Sequence, residues 1–216
     1  MTHPRWAVKC NNMDRILINI GRQVGSGGHS VAVALGQKLG IDVYDNELLI
    51  KFAEKSGLSA DYIKQKDERP ELGMGFGGLL GSPTYSGFTR GMLGEGELFR
   101  VQSETIMEIA MHGSAIFVGR ASDYVLRDLK TLDVFVTAPL EARKAAVAQR
   151  QGITPEQAGN LIRRQDRRRK DYYDLITMGD NWGVASNYDL CVDSSILGID
   201  KTADYIIAFG RAAGLI

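Results

Sequence analysis

Ile16-Leu17-Ile18-Asn19-Ile20-Gly21-Arg22-Gln23-Val24-Gly25-Ser26-Gly27-Gly28-His29-Ser30 is an apolar run, a glycine-rich turn and the opening of a helical pattern. A strand that enters a helix through such a turn has the layout of a phosphate-binding loop. Glycines let the backbone curl round an anion, and the free amides at the helix N-terminus point at it. The stretch departs from the usual spacing of Gly, four residues, Gly, Lys and Ser or Thr. With Gly27 as the second glycine, Arg22 stands at the first and Gly28 stands at the lysine. A positive charge that normally faces the phosphates is missing or has moved.

Outward from the loop, strands and helices alternate. Val31, Leu35 and Leu39 recur at helical spacing, and Gly40 ends that helix. Further strands are expected at Ile41–Tyr44, Ala115–Val118, Leu132–Val136 and Tyr188–Val192, beside the first at Ile16–Ile20. Helices are expected at Glu47–Lys55, Ala60–Lys66, Leu98–His112, Leu140–Gln149 and about 199–213. Ile106, Ile109 and Ala110 share one face of the third of these. Thr154, Pro155 and Gln157 read as an N-cap, a first-turn proline and a capping-box partner, opening one more helix. This alternation predicts a parallel sheet covered on both faces. Residues 1–14 show no periodicity and read as a loose extension to a single domain over 15–216. Between Gly73 and Gly96, glycine occupies 73, 75, 77, 78, 81, 87, 91, 94 and 96, which suggests a mobile insertion able to cover a substrate or a plain surface loop.

Lys plus Arg and Asp plus Glu number 26 each, a balance that argues against a general nucleic-acid or membrane-surface binder. Cys10 and Cys191, the latter in a strand expected to be buried, make no disulfide framework, so a cytoplasmic setting is expected. No apolar run is long enough to span a membrane, and His3, His29 and His112 lack metal-ligand spacing with the cysteines. Charge is concentrated in one place. Arg163, Arg164, Arg167, Arg168, Arg169 and Lys170 cluster with Asp166 as the one carboxylate among them. Like charges at i,i+4 repel unless an anion joins them, so the cluster suits a polyphosphate or a solvated basic face.

Five stretches together carry a resemblance to a known family. They are Gly21-Arg22-Gln23-Val24-Gly25-Ser26-Gly27-Gly28-His29, Val43-Tyr44-Asp45-Asn46-Glu47-Leu48, Phe117-Val118-Gly119-Arg120-Ala121-Ser122-Asp123-Tyr124, Ile162-Arg163-Arg164-Gln165-Asp166 continuing through Tyr172-Tyr173, and Asp180-Asn181-Trp182-Gly183 with Ser186-Asn187-Tyr188-Asp189-Leu190-Cys191-Val192-Asp193-Ser194-Ser195. From Ile16 onward the chain resembles the cytidylate kinase-like family, relatives of the P-loop nucleoside monophosphate kinases.

That resemblance implies an α/β fold: a P-loop NTPase-type three-layer sandwich with about five parallel strands, and an arginine-rich helical lid over 150–182. It implies ATP and Mg2+, and phosphoryl transfer to a nucleoside monophosphate such as CMP or dCMP. Gly25, Ser26, Gly27, Gly28, His29 and Ser30 would face the donor phosphates, with Ser30, or else Ser26, as magnesium ligand. Arg143 would lie near the donor base, and Ser194 and Ser195 near its edge. Asp45 and Arg120 would bind the acceptor. Arg163, Arg167 and Arg22 would supply charge at the transferring group. The residues themselves leave alternatives. Asp45 also reads as a helix N-cap, Arg120 as an ion-pair partner of Asp123 or Asp128, and His29 as a plain loop residue. Val118 occupies the place where the resembled kinases carry an aspartate near the metal. A nucleotide sensor that binds without transfer, or a kinase of another small molecule, would share these features. Apolar residues of the insertion could form a homodimer contact.

Overall fold

The computed structural model describes residues 15–48, 95–179 and 181–216, with the backbone alone for 95–98. The extension 1–14, the helix Ala60–Lys66, most of Glu47–Lys55 and nearly all of the glycine-rich stretch lie outside these residues. The strands are β1 Leu17–Arg22, β2 Val43–Tyr44, β3 Ala115–Val118, β4 Leu132–Thr137 and β5 Leu190–Asp193. The helices are α1 Gly28–Leu39, α2 Glu95–His112, α3 Ser122–Val125, α4 Leu140–Gln151, α5 Pro155–Thr177 and α6 Ser194–Ala212. All strand pairs are parallel, in the order β2-β3-β1-β4-β5.

The central strand is the one that feeds the loop. Ile18 lies beside Ile116 of β3 and Leu132 of β4. Ile18 and Ile20 face α1 and α6, packing with Val31, Leu35, Val134, Val136 and Ile206. Leu17 faces the other way, against Ile106, Ile109, Ala110 and Phe117. Helices thus cover both faces, as a parallel sheet requires. A third cluster of Val24, Val147, Ala158 and Ile162 fastens α4 and α5 to the loop after β1.

Local signals account for most element ends. Gly40 closes α1 in the left-handed conformation, and the capping box at Thr154 and Gln157 forms as expected. The last helix begins five residues earlier than its periodicity suggests. Asp193 caps it by accepting from the Ser195 amide, and Gly198 (φ 75°, ψ 173°) then breaks the helical path and hides the first turn from the pattern. The expectation that Cys191 is buried is corrected: β5 is an edge strand, and the thiol is exposed. Among the described residues, no helix is long and apolar enough to cross a membrane.

One polar pair interrupts the core. Asn19 Nδ2 donates to Asp133 Oδ1 at 2.7 Å across the β1–β4 register. Burial pushes the Asp133 carboxyl up to about 6 against the hydrogen bond from Asn19, with Asp123 and Asp189 adding to the rise. The folded chain therefore holds this proton more tightly than the unfolded chain does. That contribution to stability is present at low pH and is lost as pH rises through about 6. Asp133→Asn is expected to be more stable than the parent at pH 7.5, by at most ~3 kcal/mol, and equal to it near pH 4. Urea unfolding across that range measures the difference. A pH-independent difference would contradict this account.

Candidate active site

The chain leaves the central strand at its C-terminal end, with β3 on one side and β4 on the other. Open α/β sheets hold ligands at such a topological switch point. The loop there has Gly25 at φ 82° and Gly27 at φ 73°, conformations that glycine adopts without strain. Gly27 caps α1 without a side-chain bond, and the first helical bond runs from the Val31 amide to the Gly27 carbonyl. Among the described residues, the amides of Gly25, Gly27, Gly28, His29 and Ser30 have no acceptor. These N–H groups form a ready cradle for a phosphate.

The loop is held from beneath. Asp166 of α5 accepts from the Val24 amide at 2.8 Å and from Arg143 Nη1 at 2.6 Å. Arg143 also donates to the Ala138 carbonyl (3.0 Å) and the Val24 carbonyl (3.3 Å). Its guanidinium is thus spent on the underside of the loop. The geometry makes Arg143 a brace, and does not turn it toward a donor base as expected. Ser194 is likewise buried, with its hydroxyl on the Ser26 carbonyl, and Ser195 donates to Asp193. The Ser26 hydroxyl points inward to the Gln23 and Val136 carbonyls, both at 2.9 Å, and its amide donates to the Gln23 carbonyl at 3.4 Å. The Arg143–Asp166 pair is mostly buried. Removing one partner of such a pair strands the other charge, so Arg143→Ala is expected to cost ~3–5 kcal/mol and lower Tm by roughly 10 °C. A shift under about 3 °C in thermal unfolding would contradict the bracing role.

The missing lysine has a steric explanation. A β-carbon on Gly28 would lie 2.5 Å from Arg22 Cβ and 3.0 Å from Arg22 Cγ. The stem of Arg22 therefore occupies the volume a residue-28 side chain would need. The Arg22 guanidinium then lies against Gly119, where any side chain would collide with it. Arg22 thus sets a guanidinium at the end of β1, beside the first residue of α1.

Two more arginines join it. Arg169 Nη1 donates to the Arg22 carbonyl at 3.0 Å. Arg120 lies on a turn in which Gly119, Arg120 and Ala121 are all left-handed, at φ 74°, 66° and 53°. Non-glycine residues there store strain of order 1 kcal/mol each, and such strain gathers at functional sites. The Arg120 guanidinium lies over the Tyr172 ring, 5.5 Å from its centroid. The expected ion pairs with Asp123 or Asp128 are not formed; Asp123 accepts from the Tyr173 hydroxyl instead. Burial holds the Arg22 guanidinium well below the usual arginine value, with Arg169 and Arg120 lowering it further and Asp45 opposing them. Burial lowers Arg169 too, with Arg120 and Arg150 adding to the effect against Asp166. Three guanidiniums thus lie close enough to disfavour one another's charge beside open amides, an arrangement that favours an anion.

The remaining expected residues fall around this centre. Asp45 Oδ1 accepts from the Glu47 and Leu48 amides at 3.0 and 3.1 Å, so it is a helix N-cap. Its other oxygen lies 3.3 Å from His29 Nε2, which links the first turn of α1 to the residues after β2. Ser30 is exposed in the first turn of α1. Arg163 and Arg167 are exposed on α5, Arg163 donating to Asn160. Arg169, not either of these, is the α5 arginine that reaches the loop. Its signal was the inward stripe Ala158, Ile162, Asp166, Arg169, Tyr173, which steps by three or four along the helix. The cradle fits a polyphosphate. For magnesium, Val118 is fully buried and supplies no ligand, and no group of His, Cys, Asp or Glu among the described residues could hold a metal.

A model of the cytidylate kinase-like family matches residues 17–196. A cytidylate kinase from Methanopyrus kandleri is 27% identical over 198 residues, covering 87% of this chain and 89% of that protein. In fold, the chain is similar to an uncharacterised protein from Eubacterium ventriosum, at a TM-score of 0.68 and 24% identity, covering 90% of this chain and 98% of that one. It is also similar to a shikimate kinase from Bacteroides thetaiotaomicron, at a TM-score of 0.50 and 11% identity, covering 92% and 98%.

Proposed function

The chain belongs to the cytidylate kinase-like family, and from that membership we propose that it transfers the terminal phosphoryl group of ATP to a nucleoside monophosphate of the CMP or dCMP type, with Arg22 in place of the loop lysine. The observation that carries this reading is the convergence of Arg22, Arg120 and Arg169 beside the open amides of Gly25 and residues 27–30.

Phosphoryl transfer asks a protein for positioning and charge neutralisation more than for bond chemistry. The loop amides hold the donor's β-phosphate. Arg22, rooted at the end of β1, reaches the β- and γ-phosphates from the side opposite the helix. Arg120 grips the acceptor phosphate through the edge of its guanidinium, a bidentate contact that lysine cannot make. An acceptor phosphate oxygen then bonds to the γ-phosphorus as the bond to the β–γ bridging oxygen breaks, and ADP carries away the negative charge. Arg169 shares that charge from the lid. Magnesium neutralises the donor phosphates when bound, and Ser30 would hold it. Asp45, as an N-cap, shapes the acceptor side. Arg163 and Arg167 stand further out: Arg163 is six residues, about 9 Å of helix, before Arg169. There they serve to draw anionic nucleotides toward the site.

One observation favours a second reading, a sensor that binds nucleotide without transfer: Val118 is buried where a metal-assisting carboxylate would be needed. Thermal shifts separate the two. The kinase reading expects stabilisation by ATP that grows with magnesium, about 2.7 kcal/mol at a hundredfold excess over Kd. It also expects stabilisation by CMP that disappears in Arg120→Ala. ATP stabilisation indifferent to magnesium would favour the sensor.

A further inference from the structure

We propose that Tyr172 and Gln102 are positioning residues for the Arg120 grip; the inference rests on the reading of Arg120 as the acceptor-phosphate residue. Arg120 sits on a strained turn, and no carboxylate among the described residues pairs with it. What lies under its guanidinium is the ring of Tyr172. The Tyr172 hydroxyl donates to Gln102 Oε1 at 2.9 Å. Gln102 is 4% exposed, and its Nε2 donates to Asn46 Oδ1 at 3.1 Å. Its amide is thus engaged at both ends. A buried amide so held is costly to move, because displacing it leaves polar atoms unpaired. Gln102 therefore fixes the phenol, and the phenol fixes the position of the guanidinium.

The contact type suits the task. An aromatic ring attracts a guanidinium without taking up its N–H groups, and those groups are what meets a phosphate. Tyr172 orients Arg120 without competing for the anion. The chain of contacts also joins four parts of the site. Asn46 follows Asp45 on the acceptor side, Gln102 lies on α2, Tyr172 on α5, and Arg120 after β3. Tyr172 stands three residues beyond Arg169 on the same helix, so the two are near neighbours along it. Arg169 in turn bonds the carbonyl of Arg22. One rigid helix therefore sets the spacing between the donor-side and acceptor-side arginines.

The test is titration calorimetry of the full chain with CMP and, separately, with magnesium-ATP, for the parent, Tyr172→Leu, Tyr172→Phe, Gln102→Leu and Arg120→Ala. Tyr172→Leu is expected to weaken CMP about tenfold and leave ATP within about twofold. Tyr172→Phe keeps the ring and is expected to lose about threefold, with Gln102→Leu similar to it. Added to Arg120→Ala, Tyr172→Leu is expected to change nothing further. Equal weakening of CMP and ATP, or unchanged CMP binding in Tyr172→Leu while Arg120→Ala loses it, overturns the positioning role alone. Unchanged CMP binding in Arg120→Ala, or no CMP binding by the parent, overturns the acceptor reading and this proposal with it. Should Tyr172→Leu fail to fold, Tyr172→Phe decides: a CMP-selective loss supports the role, and parental binding of both nucleotides overturns it.

Discussion

Arg22→Ala is expected to lower kcat for phosphoryl transfer by a factor of about a hundred to a thousand, equivalent to ~2.7–4 kcal/mol of transition-state stabilisation. The reasoning is electrostatic. Arg22 is a half-buried cation whose stem lies against Gly28, and its protonation is disfavoured by burial and by Arg169 and Arg120. Those conditions make an arriving phosphate the natural counter-charge. Arg22→Lys keeps a charge but loses the planar fork, so an intermediate rate is expected. Single-turnover kinetics at saturating ATP and acceptor isolates the chemical step. A rate within threefold of the parent for Arg22→Ala would remove Arg22 from the transfer machinery.

Gly28→Lys, which restores the usual motif on paper, is expected to reduce activity at least tenfold and destabilise the fold by ~1–3 kcal/mol. The collision is with Arg22 Cβ and Cγ, and with Val136 Cβ at 3.4 Å. The first is rooted in the strand, not the free end of a flexible chain, so it cannot swing aside. Arg22→Ala would leave that β-carbon in place. Only Arg22→Gly clears the space, at a cost of roughly 0.5–1 kcal/mol for glycine in a strand. The double variant Arg22→Gly/Gly28→Lys is therefore expected to recover at least tenfold in kcat over either single change, a non-additive exchange that a double-mutant cycle measures directly. Additive losses would mean that the two positions do not share one charge.

The fold was legible because its signals are local. The apolar run of β3, the capping box at Thr154 and the glycine after α1 each act within a few residues, and Ala115–Val118 forms as expected from the sequence. The glycine turn after β1 was legible for the same reason. The roles around it were not, because they depend on what tertiary packing brings together. Gly28 reads as a loss until Arg22 is seen to fill its space. Arg143 opens a helix whose start packs under the loop, so a residue expected at the donor base became a brace. Among six clustered cations, the resemblance put Arg163 and Arg167 forward; the inward stripe of α5 would have pointed to Arg169. Tyr172 and Gln102 carry no motif, and only their contact with Arg120 marks them.

The measurement that bears most directly on the central claim is transfer of label from γ-labelled ATP, with magnesium, to a panel of nucleoside monophosphates, run with the parent and Arg22→Ala. The account predicts labelled CDP or dCDP from the parent and a loss of about a hundredfold or more from the variant. A parent that binds ATP yet moves label to no monophosphate would contradict it.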